Sequence, residues 1–314
     1  MPPVATGKRP LDEGHVDSGS EPADSDESQI ERPRKSIHRQ RAHNNPLAAN
    51  NMWRPDTPAA VPVATYYPAL FGAAPEQQPP SSKAIRWVDL GCGFGSLLIQ
   101  LARAERDVLI LGMEIRHKPV QFVQKRVIAH RKTARAALPA AERRGPLEGD
   151  NVWAVEANSM KCMPNYFAKG QLSKLFICFP DPHFKKRNVR RRVVSTSLLA
   201  EYAFCLEVGA RLYTITDVSE LTDWMVDHLT RFPLFRRLPN DALTADPVVR
   251  LLLLTDEGLK VARNNGNMFI AAFERLAAPK SAEEAVLPRE VAAAAAAEAG
   301  YTPKPGGELR GKTW

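Results

Sequence analysis

The sequence predicts an α/β fold: a mostly parallel sheet with helices on both faces. Three observations carry that expectation. Short apolar runs alternate with segments whose apolar residues recur at helical spacing. A glycine-rich turn, Gly91-Cys92-Gly93-Phe94-Gly95, follows the first apolar run directly and opens a helix. Proline collects towards the two ends and leaves a regular middle. Ile85–Leu90 reads as a buried strand, and 96–106 as a helix through Leu97, Leu98, Leu101 and Ala102. A second strand is expected over 108–115 and a long basic helix over 118–138, with six Lys/Arg, no acid, and Pro139 as its stop. Strands follow at 152–155 and 175–179, the latter ending in Pro180-Asp181-Pro182-His183. An amphipathic helix over 195–206 ends by Gly209. Then come a strand over 211–216, a helix over Ser219–Arg231 and a late strand over 267–273.

The 314 residues divide by composition. Residues 1–33 are expected to be a disordered tail, since 1–30 carry seven acids against Lys8 and Arg9 and little apolar surface. Residues 34–84 form a basic and proline-rich extension, in which Trp53, Tyr66, Tyr67, Leu70 and Phe71 offer docking side chains. Residues 85–276 form the folded domain, and 277–314 a low-complexity tail with an alanine run. The charge sign reverses at Arg32, Arg34, Lys35, Arg39 and Arg41, a run that suits a nuclear import signal, an RNA-contacting arm or a solvated linker. The net charge of +8 favours a polyanionic partner. The four cysteines (Cys92, Cys162, Cys178, Cys205) lack paired metal-type spacing, so no metal is expected, and small buried thiols in a reduced compartment are. No segment reads as a signal peptide or a membrane span, so an intracellular protein with no membrane partner is expected.

The glycine turn carries the first chemistry. Glycines there let the backbone approach a ligand without a Cβ clash. The turn lacks the Gly-x-x-x-x-Gly-Lys of a phosphate-binding loop and the wider Gly-x-Gly-x-x-Gly that suits a pyrophosphate. A tighter loop fits a ligand without phosphates, as in methyltransferases that use S-adenosylmethionine. Gly91 and Gly93 then face the cofactor. Asp89 acts on its methionine end, directly or by holding the loop. Glu114, ending the second strand, accepts from the ribose hydroxyls, and Asn158 after the third strand suits the adenine edge.

The segment Cys178-Phe179-Pro180-Asp181-Pro182-His183, followed by Lys185 to Arg192, resembles the signature of the tRNA (guanine-N7-)-methyltransferases of eukaryotic type. Several further stretches are similar to that family. They are Arg39-Gln40-Arg41-Ala42-His43 with Asn45-Pro46, Glu114-Ile115-Arg116, Asn158-Ser159-Met160-Lys161, Gly170-Gln171-Leu172, Leu199-Ala200-Glu201-Tyr202, Thr214-Ile215-Thr216-Asp217, and Thr255-Asp256-Glu257-Gly258 with Arg263-Asn264. The resemblance covers about residues 34–276. It implies a Rossmann-like class I S-adenosylmethionine-dependent methyltransferase with a mostly parallel seven-stranded sheet, 85–276 being the methyltransferase domain. It adds Ile115, Arg116, Ser159, Cys178, Thr255 and Glu257 to the cofactor site and makes Asp181 the catalytic aspartate. It also implies a noncatalytic WD-repeat subunit as heterodimer partner, and a nuclear location with the cytoplasm as a second one. Three positions depart from the family: Asn44 where Ser is common, Cys178 where a larger apolar residue is common, and Asn265-Gly266-Asn267 in place of a Gly-Gly-Lys-like stretch.

The implied substrate is a guanine in the tRNA variable loop. Guanine N7 is an exposed acceptor with no proton to lose, so alignment supplies most of the acceleration and no strong base is needed. Asp181 is expected to hold the base by accepting from its N–H donors and to offset the charge that develops on it. His183, Lys185, Lys186, Arg187, Arg190, Arg191 and Arg192 are expected to contact RNA, the cations through phosphates, although a solvated basic face would look the same. Two alternatives stand beside this one: a methyltransferase acting on another RNA, and a noncatalytic RNA-binding scaffold on the same fold.

Overall fold

The computed structural model describes residues 32–40, 44–48, 52–71, 83–139 and 147–278. The acidic stretch before Arg32, Arg41, and the alanine-rich tail therefore lie outside the described residues. Ahead of the sheet come two short helices, α1 (Val63–Tyr66) and α2 (Pro68–Phe71). Their docking is aromatic. Tyr67 is fully buried and donates its hydroxyl to the Ile110 carbonyl at 3.0 Å, while Leu70 and Phe71 pack on the core. Trp53 instead stays exposed.

The first apolar run is β1 (Ile85–Leu90), followed by α3 (Ser96–Ala104), β2 (Leu109–Glu114) and α4 (His117–Ala136). Then come β3 (Val152–Glu156), α5 (Ser159–Tyr166), β4 (Leu172–Cys178) and α6 (Thr196–Cys205). The last part holds β5 (Leu206–Thr216), α7 (Ser219–Arg231), β6 (Phe235–Arg237), α8 (Asn240–Ala245), α9 (Pro247–Leu253), α10 (Asp256–Arg263) and β7 (Phe269–Arg275).

Seven strands form one sheet in the order β3-β2-β1-β4-β5-β7-β6. β1 to β5 pair in parallel, and β7 runs antiparallel to both β5 and β6. The expected mostly parallel, seven-stranded sheet is what forms. Its strands read as near-continuous apolar runs because helices cover both faces. Neighbouring residues of one strand accordingly feed different cores. Val88 joins Leu199, Leu221 and Met225 of α6 and α7, while Trp87 joins Leu98, Phe122 and Leu252 of α3, α4 and α9.

Three differences from the expected elements have local causes. β5 begins at Leu206, directly after α6, and carries Gly209 at φ 84 inside the strand where the helix was expected to run out. β6 has only three residues, too few for an alternating pattern to register. α5 holds Pro164 and a non-helical Cys162, which hide its period. The basic helix α4 also divides its charge. Lys118, Lys125 and Lys132 face outwards, but Arg131 donates to the Gly149, Tyr66 and Val152 carbonyls and lies over the Trp153 ring.

Candidate active site

β1 and β4 are neighbours whose onward connections run to opposite sides of the sheet, which opens a crevice beyond their carboxyl ends. That crevice is the candidate site. Its walls come from Leu90 and Gly91 after β1, Met113 to Arg116 at β2, Ala157 to Met160 after β3, and Cys178 to Asp181 with His183 after β4. Arg191 and Val193 add to it, and so do Asn44 and Pro46 of the N-terminal segment.

The glycine turn is held open by its backbone. Gly91 has φ 75 and nothing within 4 Å of where a Cβ would stand, so its surface is bare backbone facing the cleft. Gly95, also at positive φ, packs so tightly that a Cβ would meet Val123 Cγ1 at 2.8 Å. Gly93 does not line the cleft; its N–H donates to Glu114 Oε2 at 3.0 Å.

Glu114 is 3% exposed and all its acceptor positions are in use. Oε1 accepts from the Arg116 backbone N–H at 2.9 Å and from Arg116 Nε at 3.0 Å. Oε2 accepts from the second Arg116 terminal nitrogen at 3.0 Å and from Gly93. Glu114 lines the cleft as expected, with its oxygens already engaged inside the protein. Glu114 here clasps the glycine turn and Arg116, and another donor must displace an Arg116 bond. This ion pair, with both partners largely screened from water, holds the Arg116 guanidinium above its ordinary pKa.

Asp89 lies at the end of β1, 2% exposed, with Oδ1 lacking a hydrogen-bond partner. It is not among the residues that line the cleft, although its neighbours Leu90 and Gly91 are. Burial, reinforced by the Glu114 charge, pushes its carboxyl from 3.8 up to about 7. The Cys178 thiol is pushed well up as well, by burial first and then by Asp89, so it stays neutral on the wall. A pH effect follows. The folded-state pKa of Asp89 lies above its unfolded value, so the folded protein keeps a proton that the unfolded chain has released. Stability from this group is full below about pH 4 and is lost as pH rises through about 7. Thermal melts of the ligand-free protein should show Asp89→Asn, which is never charged, losing less stability than the parent between about pH 6 and pH 8. An equal loss in both proteins would mean that Asp89 is already ionised when folded.

Asn158 lines the cleft, but its amide is committed. Oδ1 caps α5 by accepting from the Met160 N–H at 3.1 Å, and Nδ2 donates to the Pro46 carbonyl at 2.6 Å. It keeps its expected place on the cleft wall, and the N-terminal segment is tied to it through Pro46. Ile115, Arg116 and Ser159 are on the wall as expected. Thr255 and Glu257 are not. The buried Thr255 hydroxyl caps α10 by accepting from the Gly258 N–H and donates to the Leu252 carbonyl, while Glu257 is exposed.

The loop after β4 holds Asp181 on the wall, in reach of the Arg116 charge. Two non-glycine residues with positive φ, Phe179 at 48° and His183 at 45°, bracket it. Such a backbone costs on the order of 1–3 kcal/mol per residue and persists only where surroundings enforce it. After it, a 3-10 turn, Lys186–Arg191, carries the basic run. Lys185, Lys186, Arg187 and Arg190 are exposed, as a phosphate-binding face requires, and Phe184 beside them is 64% exposed. Arg191 is half-buried and lines the cleft. Arg192 is corrected: at 4% exposure, with Nε donating to the Pro182 carbonyl, it faces the interior and cannot reach a phosphate.

The sequence reading missed Asn44, Pro46, Met160 and Phe179 as cleft residues. Asn45-Pro46 was recognisable as a motif, but nothing local ties it to a strand end more than a hundred residues away. The comparisons with known proteins agree with one another. A family model described as a putative methyltransferase matches residues 83–271. A tRNA (guanine-N(7)-)-methyltransferase of Arabidopsis thaliana is 46% identical over 246 residues, covering 78% of this chain and 92% of its own. The protein of the same name from Oryza sativa subsp. indica is 46% identical over 248 residues, covering 78% and 92%. One from Eremothecium gossypii is 42% identical over 254 residues, covering 81% and 86%.

Proposed function

The chain belongs to the tRNA (guanine-N(7)-)-methyltransferase family, and on that premise we propose that its cleft methylates a variable-loop guanosine of tRNA with Asp181 holding the base. It is a methyltransferase whose methyl donor is S-adenosylmethionine and whose substrate atom is guanine N7 in tRNA. That donor supplies, when bound, a methyl group on a sulfonium, open to in-line displacement.

The residues present fit such a ligand. Asp89, buried with Oδ1 lacking a partner, lies two residues before the glycine turn, and Gly91 leaves bare backbone and open space in the cleft for the methionine end of the ligand. Leu90, Met113, Ile115 and Cys178 give the wall an apolar part. Glu114 and Arg116 present a charged pair that exchanges one internal bond for a ribose hydroxyl, and Ser159 adds a hydroxyl nearby.

The observation that carries the reading is the position of Asp181. It stands on the same wall as Gly91 and Cys178, in a loop tied by the Phe179 N–H to the Ile215 carbonyl and by Arg192 to the Pro182 carbonyl, so a base held by its carboxylate is presented to that wall. The carboxylate accepts from the guanine N–H donors and offsets positive charge developing on the ring. His183 flanks the base, and Lys185, Lys186, Arg187, Arg190 and Arg191 engage the RNA backbone. A noncatalytic WD-repeat subunit as heterodimer partner and a nuclear location complete the proposal. Its support is the eukaryote-like N-terminal motif and the basic run from Arg32. Incubating tRNA with labelled S-adenosylmethionine and digesting it to nucleosides tests the reading: label should elute as 7-methylguanosine. Label in another nucleoside, or none with the WD-repeat subunit present, would refute it.

A further inference from the structure

Arg192 stands in a run of six Lys/Arg within eight residues, yet it alone of that run is buried. Its Nε donates to the Pro182 carbonyl at 2.9 Å, and its guanidinium carbon sits 4.7 Å from the Trp224 ring centroid. The two residues after it are fixed as well. The Val193 carbonyl accepts from the Tyr202 hydroxyl at 2.8 Å, and the Val194 carbonyl from Trp224 Nε1 at 2.9 Å. Everything between residues 182 and 192 is thereby a lobe with a closed neck.

We propose that Arg192 is the positioning residue of this site, clasping the neck so that the Asp181 loop and the basic turn keep one relative geometry. Three physical facts support this. The loop carries positive φ at Phe179 and His183, so it does not hold its shape unaided. On its strand side it is tied by the Phe179 N–H to the Ile215 carbonyl at 2.7 Å, and on its far side by Arg192. A guanidinium is the group that can stack flat on an indole while aiming an N–H in its own plane at a carbonyl; a lysine ammonium keeps the charge but not the plane. Burial without a hydrogen-bonded carboxylate lowers the Arg192 pKa, and Glu220 offsets that in part. Trp224 in turn is backed by His228, whose ring stacks on it at 4.0 Å.

The inference rests on the assignment of Asp181 as the base-holding group, and the test separates the two. The full-length protein with its partner subunit is assayed on tRNA under single-turnover conditions at saturating RNA and cofactor. Arg192→Lys should lower that rate on the order of 10- to 100-fold, the scale of a small misplacement of reacting groups. Cofactor affinity and the salt slope of tRNA binding should match the parent. Arg192→Ala should do no less, and adding Trp224→Ala to it should cost little more, because both break one clasp. Full rate in Arg192→Lys together with a flatter salt slope in Arg192→Ala would make Arg192 a phosphate contact and overturn the proposal. A fall in melting temperature and cofactor affinity that tracks the rate would overturn it in favour of plain fold support. Should Arg192→Ala not fold, Arg192→Lys decides alone. A parent enzyme inactive on tRNA would instead sink the assignment of the substrate.

Discussion

Asp181→Ala is expected to lower single-turnover methylation of tRNA by about 10²-fold or more, the scale of losing one electrostatic stabiliser aimed at developing charge. Cofactor affinity should stay near that of the parent. The ligand wall is built from the ends of β1, β2 and β3 with Cys178 at the end of β4, while Asp181 stands in the loop beyond it. Asp181→Asn separates two contributions. It keeps the side-chain shape and one acceptor oxygen, so a rate close to that of Asp181→Ala would assign the effect to charge. Because guanine N7 has no proton to release, the rate at saturation should not require a deprotonated base near neutral pH. Full rate in Asp181→Ala would reduce the aspartate to a turn former between two prolines.

Replacing Lys185, Lys186, Arg187 and Arg190 together with Ala is expected to flatten the salt dependence of tRNA binding. Each lost phosphate contact removes about 0.7–0.9 from the slope of log K against log salt, so four remove about 3. These four are chosen because they are exposed, whereas Arg191 faces the cleft and Arg192 the interior. The saturated rate should recover once enough tRNA is supplied, since the neck of the lobe is intact. An unchanged slope would show the turn to be a solvated basic face with the RNA held elsewhere.

How much was legible in the sequence follows from where each interaction lies along the chain. β1, β2, β3 and β4 were legible because strands covered on both faces are continuous apolar runs, and a glycine turn after the first of them marks a ligand loop. Ile85–Leu90 and Ser219–Arg231 form with the expected bounds. The antiparallel sense of β7 was not legible, since strand direction is decided by the returning chain and not by composition. The site residues divide the same way. Gly91, Ile115, Arg116, Ser159, Cys178, Asp181 and His183 reach the cleft because strand ends deliver them there. Thr255 looked like a cofactor ligand but serves its own helix as a cap, the common use of a threonine before a helix with acids in its first turn. Arg192 could not be told from its five basic neighbours. What distinguishes it is an indole at Trp224, brought against it by α7.

The central claim is that Asp181 presents a variable-loop guanosine for methylation at N7, and the position of the product tests it most directly. Unmodified tRNA is methylated by the parent protein supplied with the proposed WD-repeat subunit, reduced with borohydride and treated with aniline, which breaks the chain at 7-methylguanosine. The account predicts one new break, at the variable-loop guanosine, and its loss with Asp181→Ala. A break at a different guanosine, or a variable-loop break that survives in Asp181→Ala at full strength, would contradict it.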